Sequence, residues 1–303
     1  MRCEKQVLAV LFAVLCTLMA AGCAAAEEPP AAQSLPLSEA IANSSELVAS
    51  IRAGLREHAG SITISFDYPA DILDELSALT DEWVEAALAE TDAPTEGDYL
   101  RYQYGGYERT CRYEAAGGQY HYTVELVPDY YLYYVQEQEV SSRLAGVYAE
   151  LALDESASDY EKLRAIYDYV CTHVRYDMVH LRNEYHHEKS TAYAALIRGT
   201  ATCQGYAVLL YRMLRENGID CRVVTGTGLD EGGEQLHAWN IAALDGRYYA
   251  LDATWDAGAE EYRWFLRGSG SFENHAMGEL FVSEKFRTRY PMASEDYFLP
   301  TDE

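Results

Sequence analysis

The sequence is short of positive charge. Its 303 residues carry 23 Lys and Arg against 49 Asp and Glu, a formal net charge of −26. Such a balance opposes binding to nucleic acid or to an anionic membrane face, so neither is expected as an electrostatic partner. The acidity is spread out, with no run long enough to form a tail. Also missing are a Cys-x-x-Cys pair, an EF-hand calcium loop, a glycine-rich phosphate loop and an internal repeat. These absences argue against a zinc ribbon, a calcium switch and a nucleotide site, and the expectation is no metal and no cofactor. His186-His187-Glu188 is the one local cluster of ligand types, and adjacent imidazoles are awkward for a single ion. Of seven cysteines three fall within the first 23 residues. The other four, Cys111, Cys171, Cys203 and Cys221, are too sparse for a disulfide scaffold and permit two bridges at most. What is present is 49% apolar content, enough for one large domain or two modest ones.

The first residues read as an export signal. Arg2 and Lys5 precede an apolar run from Val7 to Ala21, short for a membrane span. The run ends in Ala20-Ala21-Gly22-Cys23, which resembles a bacterial lipobox with Cys23 as the lipidated residue. The leucine usual three positions before the cysteine is absent, and Ala24-Ala25-Ala26 offers an ordinary cleavage site instead. The Ala-, Pro- and Glu-rich stretch that follows has linker composition. The expected organisation is a signal with lipobox over 1–23, a linker over 24–38, and a small Tyr-rich α+β domain over 39–135. A core over 136–258 and a C-terminal extension over 259–303 complete it.

In the small domain, SITISF alternates as a strand and ADILDELSALTDEWVEAALAE as an amphipathic helix. A tyrosine-rich meander follows, with YLRYQY, YERTCRYEA and QYHYTVELV as strands and Gly105-Gly106 and Gly117-Gly118 as the turns between them. Two helices come next, EQEVSSRLAGVYAELAL and SDYEKLRAIYDYVCTHVRYD. In the second, Leu163, Ile166, Tyr167, Val170 and Val174 share a face, and Ser158 or Asp159 is the cap. Cys171 and His173 at its end read as a small buried residue and a helix C-terminal group rather than a functional pair.

Chemistry concentrates further on. In GTATCQGYAVLLYRMLRENG, Tyr206, Leu209, Leu210, Met213 and Leu214 recur at helical spacing, with Thr202 as N-cap and Asn217-Gly218 as the stop. Cys203 then falls in the first turn, where unpaired N–H groups and the helix dipole favour a thiolate. In QLHAWNIAALDGRYYALDATWD, Asp245-Gly246 is a two-residue hairpin turn. That register sets His237 opposite Thr254 and Asp252 opposite Trp239, with His237 and Asp252 as diagonal neighbours on one face. A buried carboxylate needs a partner, and His237 is the economical one. Asp252 on one ring nitrogen would leave the other for Cys203.

These blocks, together with IYDYVCTHVRYD, resemble the transglutaminase-like superfamily of papain-related thiol enzymes over roughly residues 159–256, in the style of exported bacterial lipoproteins. The resemblance implies an α+β fold, a papain-related core of helices packed on an antiparallel sheet. It implies Cys203 as nucleophile, His237 as general base and acid, and Asp252 as the residue orienting the histidine. Tyr193 also fits the pattern. Tyr193 and Gln204 are candidates for an oxyanion hole after the Cys203 backbone N–H, and Trp239 and Trp255 are candidate cleft walls. The expected function is an exported, surface-tethered enzyme acting on amide bonds of proteins or cell-wall peptides through a Cys-acyl intermediate, with hydrolysis favoured. Protein-glutamine transamidation and a non-catalytic surface assembly module are the alternatives. His275 has no assigned role.

Overall fold

The computed structural model describes residues 45–153, 156–230 and 232–299. The signal, Cys23 and the linker lie outside them. Among the described residues no helix is long and apolar enough to cross a membrane. The described residues divide into two compact units, one of residues 45–87 with 106–128, the other drawn from 88–105 and the described residues from 129 to 299.

In the first unit, helix α1 (Ser45–Arg56), strand β1 (Ile62–Tyr68) and helix α2 (Leu76–Ala87) precede most of a long hairpin. The hairpin is β2 (Tyr104–Ala116) and β3 (Gln119–Tyr130), and the sheet order is β1-β3-β2. The expected three-strand meander is corrected here. Gly117 and Gly118, both at positive φ, make a tight turn, whereas Gly105-Gly106 lies inside β2. The segment read as a first strand instead folds as a one-turn helix, α3 (Asp98–Arg101), and belongs to the second unit. Its tyrosines misled: Tyr99 is buried in the core of that unit rather than displayed on a sheet.

The second unit, which also takes in the C-terminal extension, is built on helix α4 (Tyr134–Glu150), helix α5 (Asp159–His173), the short parallel pair β4 (Arg175–Tyr176) and β5 (Thr200–Ala201), and helix α6 (Cys203–Glu216). Ser158 caps α5 in a box with Glu161, and Leu163, Ile166, Tyr167 and Val170 are fully buried. Helix α6 is buried almost all round, from Tyr206 to Leu214, because α5 covers one side and the sheet the other. That sheet is antiparallel in the order β8-β7-β6-β9, from β6 (Cys221–Asp230), β7 (Gly233–Leu244), β8 (Arg247–Leu251) and β9 (His275–Met277). Two further one- to two-turn helices, α7 (Ala253–Asp256) and α8 (Glu284–Arg289), follow β8 and β9 respectively. All four cysteines expected in the folded part are free.

Candidate active site

Cys203 is the first residue of α6 and is half-buried. Thr202 stands at the N-cap position in extended conformation, but its side chain caps nothing: the hydroxyl meets Ser190 Oγ at 3.0 Å. The first turn is held close to its surroundings by Gly205, where a Cβ would lie 2.7 Å from the Ala201 methyl and 3.0 Å from the Thr191 carbonyl oxygen. Only glycine lets the helix start this deep.

His237 and Asp252 arrive from β7 and the end of β8. The hairpin register runs as the Asp245-Gly246 turn requires from Leu244↔Arg247 to Asn240↔Leu251, and then stops. His237 is therefore not opposite Thr254, and Asp252 is not opposite Trp239. His237 pairs with Gly226 and Trp239 with Val224 on the other neighbour, β6. Asp252 turns out of the ladder to become the N-cap of α7. The two side chains still meet, with His237 Nε2 2.8 Å from Asp252 Oδ2, because the strand end delivers the carboxylate to the same face.

Asp252 is fully buried and accepts four hydrogen bonds. Oδ1 takes the N–H groups of Thr254 (3.0 Å) and Trp255 (3.2 Å), and Oδ2 takes His237 and, at 3.0 Å, His275 Nε2. Burial alone would raise this carboxyl; the hydrogen bonds of the two imidazoles and their charge outweigh it and hold the group below the ordinary range. Burial likewise pulls His237 down. The hydrogen bonds to Asp252 and Cys203, and the charge of both, prevail and raise His237 to about 10. With Nε2 committed to Asp252, Nδ1 is the nitrogen left for the sulfur.

His275 is the residue that sequence reasoning passed over. It reaches Asp252 from β9, whose backbone pairs with β6 at Gly228↔His275, and its side chain is fully buried. Its Nδ1 lies 2.9 Å from the Glu273 carbonyl oxygen. Both ring nitrogens thus face oxygen atoms. The available signal was weak: a histidine in a glycine-rich tail, with a pairing of only three residues.

The other candidates separate. Trp255 stacks on His237 at 4.9 Å between ring centroids and lies tilted against His275 at 4.3 Å. With Leu229, Asp230, Arg263, Trp264 and Asn274 it lines an open cleft of about 560 Å³. Trp239 is buried in a separate apolar cluster with its indole N–H unpartnered, and does not line that cleft. Tyr193 is a core residue with the Arg198 guanidinium 5.1 Å from its ring centroid. Gln204 donates its amide N–H groups to the carbonyls of Tyr102 (2.7 Å) and Ser190 (3.4 Å), which commits the donors an oxyanion would need. Tyr176 is an unforeseen neighbour: burial first and the charge of Cys203 second raise its phenol to about 12, so the hydroxyl stays protonated near the sulfur.

Residues 148–253, which contain all three of Cys203, His237 and Asp252, match the transglutaminase-like superfamily. The chain carries a transglutaminase-like domain. It is similar to kyphoscoliosis peptidase of Mus musculus, 36% identical over 159 residues, 48% of this chain and 23% of that protein. The Homo sapiens protein of the same name is 33% identical over 134 residues, 41% of this chain and 20% of that one. The chain thus spans under a quarter of the length of either relative. A crystal structure of a TGase superposes on 60% of this chain and 59% of its own at a TM-score of 0.34 and 16% identity.

Proposed function

We propose that the transglutaminase-like domain is a thiol acyl-transfer enzyme that cleaves amide bonds of proteins or cell-wall peptides. The observation that carries this reading is the chain of contacts from Asp252 Oδ2 through His237 to Cys203 at the start of α6. A cationic imidazole beside a sulfur at a helix N-terminus is the arrangement that favours a thiolate nucleophile. In the forward step the Cys203 sulfur attacks the amide carbon and the carbonyl oxygen takes the negative charge. The Cys203 N–H, which as the first of the helix has no intrahelical acceptor, faces that oxyanion. His237 gives its proton to the departing amine, leaving an acyl-enzyme, and then takes a proton from the incoming water. The cleft beside Trp255 is open, which favours water over an amine as acceptor. The mouse and human relatives are named peptidases, in agreement with hydrolysis. Export and tethering through Cys23 belong to the same proposal and rest on the first 23 residues.

The test is competitive alkylation followed by mass spectrometry. Cys203 is half-buried, whereas Cys111, Cys171 and Cys221 are buried, and burial pushes the thiols of the latter two far up. Cys203 should label fastest at neutral pH and Cys203→Ala should abolish cleavage of a peptide library. A Cys203 no faster than the other three would overturn the assignment. Product masses then separate hydrolysis from amine incorporation.

A further inference from the structure

Between β4 and the 3-10 turn at His187–Ser190 runs a loop, DMVHLRNEYH, that the acyl-transfer chemistry does not use. Asp177 at its start and His180 and His186 further along each turn one ligand atom inward, and the three atoms lie within 4.8 Å of one another. His180 Nδ1 is 2.8 Å from Asp177 Oδ2, and the His180 and His186 rings are 4.2 Å apart between centroids. No hydrogen bond among the described residues holds the His186 ring. The neighbouring His187 faces the other way, stacked on Tyr131 at 4.7 Å, so the sequence pair His186-His187 splits between two tasks.

The loop is built to hold this arrangement. Asp177 is nearly buried, and its Oδ1 accepts the N–H groups of Val179 (3.1 Å) and His180 (2.9 Å), which fixes the carboxylate. Lys189 Nζ donates to the carbonyls of His180, Leu181 and Asn183 at 2.7–3.1 Å and ties the loop back on itself. The Asp177 N–H donates to the Ala201 carbonyl, two residues before Cys203. Meanwhile Met178, Val179 and Tyr185 are 71%, 86% and 92% exposed, so apolar packing does not account for the fold of the loop.

We propose that Asp177, His180 and His186 form a binding site for one divalent transition-metal ion, zinc being the best fit, and that the ion locks this loop beside the nucleophile. Two imidazoles and one carboxylate are a donor set that suits zinc, with water in the fourth position. Zinc–ligand bonds of about 2.0–2.1 Å place two ligands of a tetrahedron about 3.3 Å apart. The Asp177–His180 pair therefore opens by about half an ångström to admit the ion, and the His186 ring, held by no hydrogen bond among the described residues, swings to complete it. A cation here is also favoured by the charge of −26 on the chain.

The experiment uses the full chain carrying Cys203→Ala, so that no thiolate competes at the nucleophile position, and titrates zinc against a chromophoric chelator at neutral pH. One equivalent should bind, and His186→Ala or His180→Ala should weaken it at least tenfold. His275→Ala, which alters the other His-Asp-His group, should leave it unchanged. Zinc should also slow proteolysis between Met178 and Tyr185, and not in His186→Ala. Absence of stoichiometric binding would overturn the proposal, as would binding that survives His186→Ala or disappears in His275→Ala. Because none of these readouts involves turnover, failure here leaves the assignment of Cys203 untouched, and the reverse.

Discussion

The second unit buries one carboxylate against a guanidinium and another against imidazoles, and the difference in partner matters. Asp98, 1% exposed, meets the Arg222 guanidinium through both oxygens at 2.7 and 2.9 Å and accepts the Val223 N–H at 2.8 Å. Glu90 joins the group 3.4 Å from Arg222, with Tyr211 donating to it. Every contact there ends on a group already satisfied, and the Arg222 cation cannot give up its proton. Asp252 is just as buried, but two of its donors are imidazoles, and one of these turns its second nitrogen toward a sulfur. A guanidinium makes a closed pair that fixes structure; an imidazole makes an open one that can pass a proton.

The largest effect that would sharpen this contrast is Asp252→Asn. The retained amide oxygen still caps Thr254 and Trp255, so the fold should hold, while the –NH₂ meets imidazole N–H groups where an acceptor stood. Cleavage should fall roughly 10³–10⁴-fold. The His237 titration, followed by NMR, should drop from about 10 toward the ordinary histidine range. Sign follows from linkage: a folded-state pKa raised above that of the unfolded chain contributes stability fully present below about 6.5 and lost as pH rises through about 10. Wild-type stability should therefore decline over that window and Asp252→Asn should show less of the decline. An unchanged titration and alkylation profile in the folded variant would make Asp252 merely structural.

Asp98→Ala should do the opposite. Arg222 would keep Glu90 alone, and the cost should be on the order of 3 kcal/mol in denaturant unfolding, with Cys203 alkylation in the folded protein unaltered. The same cluster has its own pH signature. Burial first and the charge of Asp98 second raise Glu90 to about 7. Between about 4.5 and 7 the folded state then binds more protons than the unfolded, so this residue makes stability fall as pH rises. Glu90→Gln should remove that slope; a slope that persists would place its origin elsewhere.

His275→Ala tests whether the open pair is tuned from behind. Without the His275 donor, Asp252 has more of its charge left for His237, so the His237 pKa should move further up and cleavage near neutral pH should fall about 10- to 100-fold, the worth of a hydrogen bond to a charged group. His275→Gln, which can restore an N–H to Asp252 Oδ2, should recover part of both. A structural role alone would lower the melting temperature without moving the titration.

How much of this was legible depended on the range of the interaction. The Asp245-Gly246 turn dictated the β7–β8 register, and helical spacing exposed α6 as a buried helix with Cys203 at its start. Both are local patterns. The His237–Asp252 contact was anticipated through an extended ladder that in fact ends at Asn240↔Leu251, three pairs short of His237, so the two side chains meet but not by the expected route. His275 and the pairing of Asp98 with Arg222 depend on contacts 23 and 124 residues apart in sequence, for which a single chain carries no periodic signal. The tyrosine-rich YLRYQY failed for a related reason: β propensity describes a half-buried surface, and the core of the unit offered Tyr99 a fully buried one.

The smallest expected effect asks whether the open pair depends on position as finely as on charge. Gly228 lies on β6 beneath the site, and a Cβ there would stand 2.9 Å from Trp255 Cζ2 and 3.2 Å from both Cβ and Cγ of His237. The Trp255 ring is half-buried on an open cleft and can move; the His237 Cβ is fixed by the β6–β7 ladder and can give only by tenths of an ångström. Gly228→Ala should therefore cost little in stability, about 1 kcal/mol, while tilting the imidazole away from Asp252 or from the sulfur. Cleavage should fall about tenfold, with the His237 titration still well above the ordinary value, since both charges remain in place. A variant as active as wild type would mean that the imidazole tolerates displacement, and that the site is set by the Asp252 charge more than by the strand that carries the histidine.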